Sequence, residues 1–137
     1  WARLSYGWMG RSPDYKASLM NALGANAAFY EKFADNAKNW YARSQNHVLF
    51  MNHAIVNPPI DRMKAADEVK DVFITIQKET DAGVYLSGGQ QLATGGVYSD
   101  WLQVSTIHPQ QPGDEAYAFN VAMPMCTPGL KLYKYSL

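Results

Sequence analysis

Hydrophobic and polar positions change their period once along this chain, near Asn57-Pro58-Pro59. Ahead of that step the apolar residues recur at helical spacing. Ser12 can cap a helix with Pro13 at its first position and Asp14 on its positive end, and Gly24 is a stop signal, which predicts a helix from Pro13 to Leu23. Asn26 can cap a second helix. In it Phe29, Phe33, Ala37, Trp40 and Tyr41 share one face, while Glu31, Lys32, Asp35, Lys38 and Asn39 fall elsewhere. That aromatic stripe predicts a core face.

After Pro59 the alternation becomes that of strands. VFITIQKET, a turn at Asp81-Ala82-Gly83 and VYLSGGQQLAT predict a hairpin. DWLQVSTI, AYAFNVAMPM and LKLYKYSL are three further strand candidates, separated by the turn formers HPQQPGDE and CTPG. The pattern therefore predicts an α+β chain, with residues 1–58 part of a helical domain and 59–137 an antiparallel β domain.

Composition narrows the function classes. The 137 residues, 47% hydrophobic, suffice for one core or parts of two. Twelve basic residues balance twelve acidic ones, and no Lys/Arg-rich run is present, which argues against nucleic acid and anionic membrane surfaces as partners. No apolar run has the length of a membrane span, and WARLSYGW lacks the order of a signal peptide. A single cysteine, Cys126, forms no internal disulfide, so an intracellular protein is the default expectation. The start at Trp1 and the stop at KLYKYSL give the expectation of a piece cut from a longer protein.

Generic motifs add little. Gly88-Gly89 and Gly95-Gly96 do not open a helix as a phosphate loop does, so a bulge or turn is the expected use. His47, His53, His108 and Cys126 lack the spacing of a zinc motif, and no metal site is expected. Cys126 reads as a small half-buried thiol beside a turn, not a nucleophile.

Longer stretches are more specific. SYGWMGRSPDYKA, NHVLFMNHAIVNPPIDR, VFITIQKETDAGVYLSGGQQLATGG, IHPQQPGDEAYAF and TPGLKLY, in this order, resemble the 4-hydroxyphenylacetate 3-hydroxylase family of flavin-dependent monooxygenases. The resemblance implies the large oxygenase component of a two-component system with an acyl-CoA-dehydrogenase-like fold: a helical N-terminal domain, a middle antiparallel β-barrel or sandwich domain, and a C-terminal helical bundle missing from this chain. It implies FAD, delivered as FADH2 by a separate flavin reductase. It also implies ortho-hydroxylation of a phenol to a catechol with O2 through a C4a-hydroperoxyflavin, in a cytoplasmic homo-oligomer, dimer or tetramer. The cofactor carries the difficult chemistry; the protein orients the ring and excludes water.

Site residues follow from the matched words. Arg11 and Tyr15, in Arg11-Ser12-Pro13-Asp14-Tyr15, correspond to the pair that holds the phenolic oxygen. A fixed cation and a neutral donor favour phenolate, the better nucleophile. Taken alone, the same residues read as a surface ion pair and a half-buried tyrosine. His53 resembles the histidine between substrate and flavin, where an imidazole with an ordinary pKa of about 6.5 can take the phenolic proton; by periodicity alone it is a core histidine. His53, Ala54 and Ile55, with Pro59, Ile60, Asp61 and Arg62, correspond to stretches that contact FAD, and Thr94 to a threonine that bonds the flavin ring. The bland reading of Thr94 is an ordinary strand residue.

Two rival readings use the same scaffold. One is a non-catalytic flavin-binding or assembly domain. The other is a flavoenzyme like 4-hydroxybutyryl-CoA dehydratase, whose iron–sulfur cluster needs cysteine and histidine ligands. The matched positions here are Arg11 and Tyr15, and the one cysteine is Cys126.

Overall fold

The computed structural model describes residues 3, 4, 6, 14–47, 49–60, 64, 66–69 and 72–134. The chain divides into two compact units, Trp1–Met51 and Asn52–Leu137.

The first unit is helical. Helix α1 spans Asp14–Ala25, a short 3-10 helix covers Ala27–Phe33, and α2 spans Ala34–Asn46. Gly24 does not stop α1. The Asn26 N–H still reaches the Ala22 carbonyl at 3.0 Å, so the helical ladder runs past the glycine. Its small size serves packing instead: a Cβ there would lie 2.5 Å from Cγ of Tyr41 on α2. Gly24→Ala sets a helix-propensity gain of about 1 kcal/mol against the displacement of a ring. Net destabilisation of about 1 kcal/mol is expected by chemical denaturation, removed when Tyr41→Ala is added. A stabilised single variant would show that Tyr41 yields freely.

The aromatic stripe does not form the expected core face. Glu31 adopts φ 45° and ψ −116°, a kink inside the Ala27–Phe33 segment that interrupts the second predicted helix ahead of α2. A 3-10 segment turns every three residues, so the four-residue spacing of Phe29, Phe33 and Ala37 no longer aligns them. Ala37 is buried, whereas Phe29 is 81% and Phe33 54% exposed. Phe29 packs edge-on against Tyr30 at 5.5 Å, and the Lys32 ammonium lies 4.9 Å from the Phe33 ring centre.

The second unit carries the sheets. Strand β1 spans Met51–Val56, β2 Thr75–Thr80, β3 Gly83–Ser87, β4 Gln91–Leu92, β5 Trp101–Ser105 and β6 Asn120–Pro124. Four of them form one sheet in the order β4-β1-β5-β6, and β2 and β3 form a separate two-stranded hairpin. Strand β1 corrects the helical reading of the chain ahead of Asn57. MNHAIV is rich in apolar residues and too short for its period to be decisive; what makes it a strand is its place between β4 and β5.

The Asp81-Ala82 turn is where the sequence puts it, with Thr80 opposite Gly83. VYLSGGQQLAT is not one strand, however. It breaks at Gly88 (φ +118°), and β4 joins the other sheet. Strand β5 alternates as expected: Leu102 and Val104 are buried with Ile74 beneath Leu86, Leu92, Phe119, Val121, Met123 and Met125. The run LKLYKYSL corrects another expectation, because residues 130–134 form no strand and 135–137 lie outside the described residues. Alternation alone does not make a strand; a strand needs a neighbour to satisfy its backbone.

Candidate functional site

The candidate site centres on the junction between β1 and the turn that follows β4. Ala54 pairs with Leu92 and Val56 with Gln91, with a register shift between the two pairs. Beyond Leu92, the Ala93 N–H donates to the His53 carbonyl at 3.0 Å. The Gly96 N–H then donates to the Ala93 carbonyl at 2.9 Å, and Gly95 takes the left-handed conformation at φ +79°. The chain thus turns sharply at Thr94-Gly95 directly opposite His53. Gly96 is buried, and a Cβ there would strike Leu92.

His53 is half-buried with its Nδ1 atom out of solvent, whereas Thr94 is exposed. Ala54 is buried, Ile55 and Ile60 are half-buried and Pro59 is exposed. The Ile60 N–H closes back on the Pro58 carbonyl at 2.8 Å.

A cleft of about 460 Å³ opens where β1 ends, within the range of small-molecule sites. Val56, Asn57 and Pro58 form one wall, Phe73 contributes an aromatic face and Lys64 a cation, and the β5–β6 connection between Thr106 and Tyr117 supplies the rest. Asn57 Oδ1 is buried with no hydrogen-bond partner among the described residues, so a donor from outside the chain would satisfy it. The connection is internally braced. Gln111 N–H donates to Asp114 Oδ2 at 3.1 Å, and Gly113 N–H donates to Glu115 Oε1 at 3.1 Å. Hydrogen bonds from the backbone N–H groups of Glu115 and Gly113 hold the Glu115 carboxyl below its ordinary pKa.

Comparison with known proteins shows which family the chain belongs to. The family described as 4-hydroxyphenylacetate 3-hydroxylase N terminal matches residues 1–136. The chain belongs to this family. It is 52% identical over 133 residues to a 4-hydroxyphenylacetate 3-monooxygenase oxygenase component of Pseudomonas aeruginosa, covering 96% of this chain and 26% of the relative. It is 53% identical over 133 residues to a Streptomyces globisporus monooxygenase of a carrier-protein-bound 3-amino-3-(3-chloro-4-hydroxyphenyl)propanoyl group, covering 96% and 25%. Among solved structures, the oxygenase component HpaB complexed with FAD and 4-hydroxyphenylacetate superposes with a TM-score of 0.79 at 32% identity, covering 94% of this chain and 27% of that one. An archaeal 4-hydroxybutyryl-CoA dehydratase from N. maritimus shares the fold, with a TM-score of 0.69 at 24% identity over 83% of this chain and 24% of its own. The fold is acyl-CoA-dehydrogenase-like, and the chain spans about a quarter of the length of the relatives it matches.

In this 4-hydroxyphenylacetate 3-hydroxylase family chain, the described residues bring together two of the candidates read from sequence, His53 and Thr94. Thr94 is a turn residue, not the strand residue that LAT suggested. Arg11, Asp61 and Arg62 lie outside the described residues, as does the side chain of Tyr15, whose backbone is in the first turn of α1. Cys126 is exposed rather than half-buried, because it sits in the turn after β6. Among the described residues no three His, Cys, Asp or Glu side chains gather as metal ligands, and no helix is long and apolar enough to cross a membrane.

Sequence reasoning missed two members of the site. Asn57 gave no signal beyond standing before Pro58-Pro59, and Asn52 looked like one polar residue in an apolar run.

Proposed function

We propose that this chain is part of a reduced-FAD-dependent monooxygenase that hydroxylates a phenol ortho to its hydroxyl group, giving a catechol. The observation that carries the reading is the junction of His53 with the Thr94 turn, in a chain whose family includes an oxygenase solved with FAD and 4-hydroxyphenylacetate. The residues present are compatible with a flavin: Asn57 Oδ1, on the cleft wall, is a buried acceptor in need of a donor, and Thr94, outside the cleft lining, is an exposed hydroxyl at a tight turn. Bound reduced FAD would supply activated oxygen.

The rest is the work of this chain's residues. Arg11 and Tyr15 hold the phenolic oxygen and favour its ionised form. His53 accepts the phenolic proton, which raises electron density at the carbon to be hydroxylated. Thr94 and the backbone of His53, Ala54, Ile55, Pro59 and Ile60 would hold the flavin ring, and Asp61 and Arg62 would bind its polar groups. In this reading the full-length protein acts in the cytoplasm as a homo-oligomer supplied by a separate flavin reductase, and the 137 residues by themselves are inactive.

The test uses the full-length parent with chemically or enzymatically reduced FAD, oxygen and a panel of phenols that includes 4-hydroxyphenylacetate. Catechol should form in proportion to flavin oxidised. Flavin oxidation that yields only hydrogen peroxide with every phenol would overturn the reading. Catechol from the isolated chain would show that the site lies wholly within it.

A further inference from the structure

Strand β1 holds a buried polar residue that the proposed chemistry does not use. Asn52 is 4% exposed and immediately precedes His53. Its Nδ2 donates to the Thr94 carbonyl at 3.0 Å, and its Oδ1 accepts the His53 backbone N–H at 2.9 Å. One side-chain amide thus joins the backbone of both candidate residues.

The local chain path explains why an amide is needed. In a regular antiparallel ladder, a residue that accepts from its partner's N–H also donates to that partner's carbonyl. His53 accepts from Ala93, but the Ala93 carbonyl is occupied by the Gly96 N–H of the turn. The His53 N–H donates to Asn52 Oδ1 beside it, and the Thr94 carbonyl lies in the turn beyond β4. Asn52 serves both, since a carboxamide is at once donor and acceptor. An aspartate cannot donate when ionised, and leucine of similar size can do neither. Gly95 serves the same turn through its φ of +79°, a conformation that residues with a side chain rarely adopt.

We propose that Asn52 is a positioning residue that fixes the Thr94 turn against His53, so that the group acting on the phenol and the group facing the flavin keep one spacing. The proposal rests on the roles read for His53 and Thr94 above. Asn52 itself reaches backbone atoms only, through which it sets where the two side chains begin.

The experiment compares the full-length parent with Asn52→Asp, which keeps the acceptor and loses the donor, and with the uncharged Asn52→Ser, which loses the reach to Thr94. In the cofactor-free protein, hydrogen exchange is followed by mass spectrometry for segments 93–99 and 101–105. Segment 93–99 should exchange about tenfold faster in either variant, the scale of one lost hydrogen bond, while 101–105 is unchanged. With flavin and phenol supplied, kcat should fall about tenfold at nearly constant KM for the phenol. Adding His53→Asn should cost much less than the product of the two single losses.

Unchanged exchange at 93–99 would overturn the proposal, because Asn52 would not be holding the turn. So would faster exchange with unchanged kcat, or an equal rise in both segments, which would mark a general loss of stability. Failure of the functional reading has a separate signature: His53→Asn alone would leave turnover intact, whatever the exchange data show. If Asn52→Asp does not fold, Asn52→Ser carries the same comparison without a buried charge.

Discussion

Replacing His53 with asparagine in the full-length parent is expected to slow phenol hydroxylation about a hundredfold, the lower range for a lost general base. A phenol with an ordinary pKa of about 10 is almost wholly protonated at neutral pH, and the protonated form is a poor nucleophile toward electrophilic oxygen. In the proposed reaction a neutral imidazole at His53 removes that proton. Asparagine keeps a polar side chain of similar reach but cannot take a proton at these pH values. Flavin oxidation should therefore continue while catechol formation lags. The deficit should shrink as pH rises toward the phenol's own pKa, because phenolate then appears unaided. Rapid-mixing absorbance for the flavin and quenched-flow chromatography for the catechol measure the two separately. An unchanged catechol rate with an unchanged pH profile would return His53 to a packing role on β1.

The second large effect concerns stability: Gly88→Ala is expected to destabilise the β unit by about 3 kcal/mol. Two costs combine. Gly88 has φ +118°, which side-chain-bearing residues rarely adopt. A Cβ there would also collide with the carbonyl of Phe73 and lie 2.7 Å from the Ile74 Cα, and neither backbone atom can swing aside. Movement would disturb the bridge between Phe73 and Gly89, the 2.8 Å bond from Gly89 N–H to the Val72 carbonyl, and buried Ile74. Gly83→Ala is the control, since Gly83 also has positive φ (+137°) but meets nothing within 4 Å. Urea denaturation should place the two variants about 2 kcal/mol apart, the share due to overlap. Equal costs would mean that the close approach at Gly88 carries no energetic weight.

What the sequence determined by itself was local or lexical. The alternation of Leu102 and Val104 with Trp101, Gln103 and Ser105 dictates a strand with one buried face, because side chains of a strand point to opposite sides in turn. Asp81-Ala82-Gly83 dictates a tight reversal, since its glycine accepts a backbone angle that other residues resist. Long matched words such as NHAIVNPPIDR pointed to the family that the whole-chain comparison establishes. They named His53 and Thr94 without saying how the two could meet.

Tertiary structure decided what depends on partners distant in the chain. MNHAIV is a strand because β4 and β5 flank it, and LKLYK is none because no described strand pairs with it. The stripe from Phe29 to Tyr41 lost its common face at one backbone angle, that of Glu31, which no periodicity encodes. Gly24 reads as a helix stop until Tyr41 is found against it. Asn52 and Thr94 are 42 positions apart, and only the turn opposite β1 brings one side-chain amide to both the Thr94 carbonyl and the His53 N–H. A hydrogen bond has reach of about 3 Å and no memory of sequence distance, so this part of the site came into existence only on folding.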